Sequence, residues 1–195
     1  MGVRRAKRVL AETVRRLSRI LPVTMSWVYY PLVFNRFGSG SVLERPTVLA
    51  QPHCISIGNG TSVRRGVRLE AVVRPDFAMP EITIGHRCLI EQNVQIIAKD
   101  HISIGNNVSI AGHCAIVDVI HPFTASGDQN IGFRIDDAVT SVQIEDGCFV
   151  GFGSVILPGV HLGPGCIVGA NSVVTRSFGP RSVVCGAPAR LIRTY

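Results

Sequence analysis

Aromatic residues are scarce in this chain of 195 residues: Phe, Trp and Tyr supply only 6%, although 46% is hydrophobic. A core of that composition is filled by Val, Ile, Leu, Ala and Cys, which suits a narrow interior of stacked small side chains. Charge is also thin, at 17%, and acidic residues are few, 13 against 20 Lys and Arg. The excess is local. Arg4, Arg5, Lys7, Arg8, Arg15, Arg16 and Arg19 face a single acid, Glu12, so the body of the chain is near neutral. A basic footprint spread over a domain is missing, which argues against nucleic acid as a partner. No apolar run reaches the length that a spanning helix needs. The basic N-terminus is not followed by a continuous apolar stretch or a small-x-small cleavage site, so it does not read as a signal peptide. No CxxC pair occurs, and the histidines lack zinc-ligand spacing, so neither a disulfide framework nor a metal is expected.

What the chain does have is a period of six. Ile144, Val150, Ile156, Leu162, Val168 and Val174 fall on every sixth position, and Val150, Leu162 and Val168 are followed at once by glycine. With aliphatics at roughly one position in five, such a run is an accident of about one in ten thousand. Six is neither the helical nor the strand period. It is the period of a hexapeptide β-helix, in which three short strands make one coil. The expected fold is therefore all-β, a left-handed parallel β-helix with an N-terminal amphipathic helix and a short C-terminal tail. Cys88, Cys114, Cys148 and Cys166 each stand four residues after a repeat aliphatic, where the side chain turns inward and must be small. Cysteine serves there as a small hydrophobe, and free thiols suit a reducing cytosol.

The repeat begins near Ile57, with Val63 and Leu69 in step. It breaks at Arg74–Glu81, resumes at Ile84, Ile90 and Ile96, absorbs two residues around Ala98–His101, and continues at Ile104, Ile110 and Ile116. It then fails until Ile144, which implies a loop thrown out of one coil within about 118–141. Domain limits follow: a basic N-terminal cap over 1–45 and the β-helix over 46–195. Residues 3–21 read as an amphipathic helix ended by Pro22. The apolar, aromatic segment 22–37 has two readings, a lid over the open end of the β-helix or an anchor on anionic lipid.

The loop opens with Val119-Ile120-His121-Pro122. A histidine where a rigid coil releases a loop is well placed for proton transfer. Asp118 either orients that ring or is a solvated or turn-capping residue. His53, His86, His101, His113 and His161 read as surface or corner residues.

The stretches SIAGHCAIVDVIHP (109–122), VQIEDGCFVGFGSVILPGVHLGPGCIVGANSVVTRS and VVCGAPARLIR resemble the hexapeptide acetyltransferases, in particular the galactoside, maltose and nodulation-sugar O-acetyltransferases and their polysaccharide-acetylating relatives. The resemblance covers about residues 57–193. It implies an enzyme that uses acetyl-CoA as co-substrate and no metal, with His121 as general base and direct transfer to a sugar hydroxyl. It implies a cytoplasmic homotrimer with active sites between subunits, acting in surface polysaccharide, lipopolysaccharide or glycolipid assembly. Peripheral contact with the inner membrane face through residues 1–37 would suit the basic N-terminus. The resemblance puts Gly151, Phe152, Ala170, Thr175 and Arg176 along the coenzyme groove, and Arg190 and Arg193 near its phosphates. It puts Glu91, with Asn93 beside it, at the acceptor. There the chain departs from the family: Glu91 replaces an asparagine, Lys99 an acceptor-contacting aspartate, Phe149 a tryptophan and Phe152 a smaller residue. Glu91 therefore keeps open N-acetylation of a nucleotide-linked amino sugar, and a non-catalytic β-helix scaffold is the rival of another class.

Overall fold

The computed structural model describes residues 22–75, 77–122 and 130–195. The amphipathic helix expected over 3–21 lies outside them. The chain winds into a triangular prism whose walls are three sheets, the left-handed parallel β-helix of hexapeptide repeats. The first wall stacks Arg36–Phe37, Ile55–Ile57, Glu81–Ile84, His101–Ile104, Ser141–Ile144 and His161–Leu162. The second stacks Val42–Leu43, Ser62–Val63, Leu89–Ile90, Ser109–Ile110, Phe149–Val150, Ile167–Val168 and Ser182–Gly186. The third stacks Val48–Ala50, Arg68–Ala71, Gln95–Ala98, Ala115–Val117, Val155–Ile156 and Val173–Val174. Every neighbouring pair is parallel except the last of the second wall, where Ala189–Thr194 folds back antiparallel on Ser182–Gly186.

From Ile57 to Val174 each coil sends three aliphatic residues inward, one per wall. Ile104, Ile110 and Ile116 sit directly over Ile84, Ile90 and Ile96 and under Ile144, Val150 and Ile156, and all nine are buried. At roughly 1.5–3 kcal/mol for each such side chain, the stacks supply most of the driving force for folding. The inward cysteines do more than fill space. The thiols of Cys88, Cys114, Cys148 and Cys166 lie 3.0, 3.1, 3.3 and 3.1 Å from the carbonyl oxygens of Gly105, Gly151, Gly163 and Gly179 in the next coil. Burial pushes the Cys148 thiol up to about 12, so it remains a neutral donor.

Two features were illegible in the repeat. Phe37, Leu43 and Leu49 build a coil before Ile57, so strands begin at Arg36, ten residues ahead of the expected start at 46. An aromatic in the first place hid it. At the other end the chain does not leave the prism after Val174: Phe178 bridges to Leu162 and Val184 pairs with Val168. The tail is the antiparallel strand Ala189–Thr194, laid along the last coil.

Residues 22–33 are largely helical. Pro31 falls in the first turn of the short helix Tyr30–Val33, where its missing N–H costs little. Tyr30, Phe34 and Phe37 pack ring on ring, with centroids 5.3–5.6 Å apart, across the first coil. The Ser26 hydroxyl accepts the Leu43 N–H at 3.0 Å, satisfying an edge donor. Trp27, Val28 and Leu32 are exposed, at 70%, 64% and 79%.

The corners of the prism are unequal. From first wall to second, and from second to third, successive inward residues are always six apart, as in Ile84, Ile90, Ile96 or Ile144, Val150, Ile156. Every departure from six falls at the third-to-first corner. It takes eight residues from Leu49 to Ile57, fifteen from Leu69 to Ile84, eight from Ile96 to Ile104 and twenty-eight from Ile116 to Ile144. The Arg74–Glu81 excursion, the Lys99–Asp100 pair and the long loop are thus stacked on one edge.

Candidate active site

That edge carries His121, five residues beyond the inward Ile116. Its imidazole is exposed, and Nδ1 lies 2.7 Å from the backbone carbonyl oxygen of Arg134 on the returning limb of the loop. A carbonyl only accepts, so Nδ1 carries a proton, and when the ring is neutral the lone pair is on Nε2. The loop is closed behind the ring by the Asp136 N–H on the Ile120 carbonyl at 2.8 Å and by the Thr140 hydroxyl on the Asp118 carbonyl at 2.7 Å.

Asp118 does not orient His121. It is fully buried, and its carboxylate accepts the backbone N–H groups of Lys99, Asp100 (3.0 Å) and His101 (2.8 Å) in the coil before. Burial pushes its pKa up, and the three N–H donors only partly oppose this. The turn-capping reading of Asp118 is the one the structure supports. Lys99 also turns away from any acceptor. Its side chain is fully buried, with Nζ 2.8 Å from Asp100 Oδ2 and bonded to the Ala138 carbonyl.

The residues expected to act together divide between two edges. Thr175 and Arg176 share the third-to-first edge with His121, and the Arg176 guanidinium lies over the Phe178 ring at 5.1 Å. Glu91, Asn93, Gly151, Phe152 and Ala170 all follow strands of the second wall, and so sit on the second-to-third edge. Within one chain the whole third wall separates them from His121. Arg190 and Arg193 are exposed on the antiparallel end strand, opposite Cys185 and Val183.

Local geometry sorts the second group further. Asn93 occupies a left-handed corner (φ 59°), a place that asparagine tolerates, and its amide nitrogen is 3.2 Å from His113 Nε2. The Phe152 ring packs on His113 at 5.1 Å. Gly151 is demanded by coil stacking, because a Cβ there would stand 2.6 Å from the Ala170 nitrogen and 2.7 Å from the Val168 oxygen. Glu91 is half-buried in a cleft of about 670 Å3 shared with Arg45, Arg64 and Arg65. Of these, Arg64 is paired to Glu44 at 3.0 Å. The five remaining histidines stand on turns or outer faces. Among the described residues no cluster of His, Cys, Asp or Glu is arranged for a metal, and no helix is long and apolar enough to cross a membrane.

Sequence reasoning missed Arg74, Asp100 and the Arg134 carbonyl. A signal existed for Asp100, since the charged pair Lys99-Asp100 fills the two-residue insertion of the otherwise aliphatic coil between Ile96 and Ile104.

A prism with one loop-bearing edge and an exposed imidazole at the root of that loop fits a transferase of the hexapeptide class, and the comparisons agree. The family model "Bacterial transferase hexapeptide (six repeats)" matches residues 141–176. A Schizosaccharomyces pombe protein named as an acetyltransferase is 30% identical over 152 residues, 71% of this chain and 72% of its own length. The lipopolysaccharide biosynthesis O-acetyl transferase WbbJ of Escherichia coli is 26% identical over 159 residues, 79% of each chain. The fold superposes on the Bacillus cereus N-acyltransferase AntD, solved with dTDP and 3-hydroxybutyryl-CoA, with TM-score 0.71, 21% identity and 84% of each chain covered. It also superposes on a maltose O-acetyltransferase from Clostridium difficile, with TM-score 0.52, 22% identity and coverage of 94% of this chain and 84% of that one. The chain belongs to the hexapeptide-repeat acetyltransferases, and it is an acyltransferase.

Proposed function

We propose that the chain transfers the acetyl group of acetyl-CoA to a sugar hydroxyl in the assembly of a surface polysaccharide, lipopolysaccharide or glycolipid. The observation that carries this reading is the His121 ring, with its Nδ1 proton committed to a backbone carbonyl and Nε2 free. A sugar hydroxyl is a poor nucleophile at neutral pH, and a positioned base removes that obstacle. Nε2 takes the hydroxyl proton as the oxygen attacks the thioester carbonyl. The tetrahedral adduct then expels the coenzyme thiolate, which recovers the proton from Nε2. No acyl-enzyme forms. Arg176, Arg190 and Arg193, all exposed toward the C-terminal end, suit the coenzyme's phosphates through charge-assisted bonds. The relation to WbbJ over 79% of each chain supports the lipopolysaccharide context.

A second copy completes the site in this reading. His121 and the Glu91–Ala170 edge are apart within one chain, and two prisms set edge to edge would join them. The outer face of the third wall offers Ile97, Val117, Val155 and Val173, all half-buried, as packing surface for a homotrimer. The exposed Trp27, Val28 and Leu32 follow the basic segment 1–21, which supports peripheral binding to an anionic inner-membrane surface from the cytoplasm. Vesicles with and without anionic lipid test this, and equal binding to both would end it.

N-acylation of a nucleotide-linked amino sugar is the second reading. Glu91 favours it, since a carboxylate can hold an ammonium before deprotonation, and AntD shares the fold. Thiol release from acetyl-CoA with matched hydroxyl and amino sugars separates the two. Turnover only with the amine would replace the first reading by the second. No thiol release with any acceptor, in the wild type and in His121→Ala alike, would remove both and leave the scaffold.

A further inference from the structure

We infer that Arg74, Lys99 and Asp100 form a clamp that positions the His121 imidazole, by holding the returning limb of the loop whose Arg134 carbonyl fixes the ring's protonated nitrogen. The inference rests on the reading of His121 as the base. The limb from Arg134 to Thr140 joins no sheet; beside the Asp136 N–H bond to the Ile120 carbonyl, side chains hold it in place. Arg74 Nη1 donates to the Asp136 carbonyl at 3.4 Å and to Asp137 Oδ1 at 3.3 Å. Lys99 Nζ donates to the Ala138 carbonyl, and Asp100 Oδ2 accepts the Thr140 N–H at 3.0 Å. Asp100 ties the two cations together, with Oδ1 3.1 Å from Arg74 Nη2 and Oδ2 2.8 Å from Lys99 Nζ. The Phe77 ring, 3.9 Å from the guanidinium carbon, holds the Arg74 fork in its plane.

Three insertions of the same corner meet here: the Arg74 excursion, the Lys99–Asp100 pair and the loop. The outgoing end of the loop is fixed to residues 99–101 by the Asp118 carboxylate, and the returning end is fixed to the same residues by Asp100 and Lys99. Side-chain exposure is 0% for Lys99, 10% for Arg74 and 14% for Asp100. Buried ion groups of this kind often add little to stability over apolar replacements; this one holds the limb that carries the Arg134 carbonyl. The His121 ring is exposed and its orientation follows that carbonyl.

The test uses Lys99→Met, of similar length without charge, and Arg74→Lys, which keeps the charge but loses the fork. Imidazole 15N shifts, with the His121 signal assigned from its loss in His121→Asn, read the tautomer, and initial rates read kcat and the KM for acetyl-CoA. The clamp predicts that the Nδ1–H form gives way to a tautomer mixture. It also predicts that kcat falls about 10- to 100-fold, as for an angstrom-scale misplacement, with KM changed less than twofold. Unchanged His121 shifts in both variants would overturn the clamp. Shifted signals with an unchanged rate would leave the clamp standing and remove His121 as the base. If Lys99→Met does not fold, Arg74→Lys carries the same readouts.

Discussion

Gly151 allows coil stacking and coenzyme binding to be separated by one methyl group. In Gly151→Ala the new Cβ would stand 2.6 Å from the Ala170 nitrogen, 2.7 Å from the Val168 oxygen and 2.8 Å from the Gly169 carbon. All three are backbone atoms of the next coil. Ordinary contact begins near 3.4 Å, so the coils must part by roughly 0.6–0.8 Å. The Gly151 N–H bond to the Val168 oxygen, now 2.8 Å, would be stretched with them. Overpacking costs about 1–3 kcal/mol where side chains can yield. Here only backbone can yield, and a weakened ladder bond adds about 1 kcal/mol, so about 3–4 kcal/mol is expected. For a chain of this size each kcal/mol lowers Tm by roughly 2–4 °C, so the melt should fall by about 6–16 °C. Two controls calibrate the result. Gly179→Ala has no atom within 4 Å and should melt as wild type. Gly147→Ala is equally open but sits at φ +69°, and should lose about 1–2 kcal/mol for the left-handed backbone alone. Thermal melts followed by circular dichroism, at one fixed protein concentration, give the comparison. If Gly151→Ala melts like Gly179→Ala while the KM for acetyl-CoA rises, the stacking argument is wrong and this glycine belongs to the coenzyme groove.

Three further outcomes are expected. His121→Ala should lower kcat by about 10²–10⁴-fold, roughly 3–5 kcal/mol of barrier, with Tm within about 2 °C because the ring is exposed; a stable variant with wild-type kcat refutes the assignment. Of six cysteines only Cys185 is exposed and five are buried, so a disulfide reagent should titrate about one thiol in the native protein and six after denaturation; fast reaction of Cys148, whose pKa burial raises to about 12, would contradict the inward turn. Burial alone would raise the Asp100 pKa, but the Lys99 ammonium, the Thr140 N–H and the Arg74 charge outweigh it and hold the carboxyl below its usual value. Its contribution to stability is therefore present above the unfolded pKa of about 3.9 and lost as pH falls through the lower folded value. The Tm gap between wild type and Asp100→Asn should be full at pH 5–7 and shrink below about pH 4; a gap constant to pH 2.5 would show that the charge contributes nothing.

The fold was legible because its core repeats one residue type at one interval. From Ile57 to Val174 every inward position of the prism, and the register breaks at Arg74–Glu81, Ala98–His101 and 118–141, can be read from spacing alone. The first coil was not legible because Phe37 stands where later coils carry an aliphatic, and the last because Phe178 follows Val174 at four residues instead of six. The site was legible only in part. His121 announces itself at the root of the loop, but what fixes its tautomer is a backbone carbonyl thirteen residues later, and carbonyls leave no mark on a sequence. Glu91 and Gly151 lie on a different edge from His121 because edge membership depends on position within the coil. Similarity to a family motif does not count that position.

The inequality of the corners has a physical cause. At the two regular corners a small donor in the fifth place reaches the next coil in most turns: Ser41, Thr61, Cys88, Cys148 and Cys166 at one, Thr47, Cys114 and Ser154 at the other; buried Val67, Val94 and Val108 hold that place by packing. Each bond spans 2.6–3.3 Å to a glycine carbonyl, so an inserted residue there would break a bond in its own coil and in the coil beside it. At the third corner the small hydroxyls of Thr140 and Ser177 work alongside Asp118, Asp100, Lys99 and Arg74, whose long or charged groups reach across gaps of variable length. Insertions are therefore tolerated on that edge and not on the others, and loops with chemistry gather there. Moving a donor tests the cause: Ser154→Ala removes the hydroxyl that binds the Gly169 carbonyl at 2.9 Å and accepts the Ser172 N–H at 3.2 Å. It should cost about 1–3 kcal/mol through the buried groups left unpaired, read as a lower midpoint in urea. A midpoint unchanged from wild type would mean that the aliphatic stacks alone hold the coils in register, and that the regular corners owe their constancy to something other than these bonds.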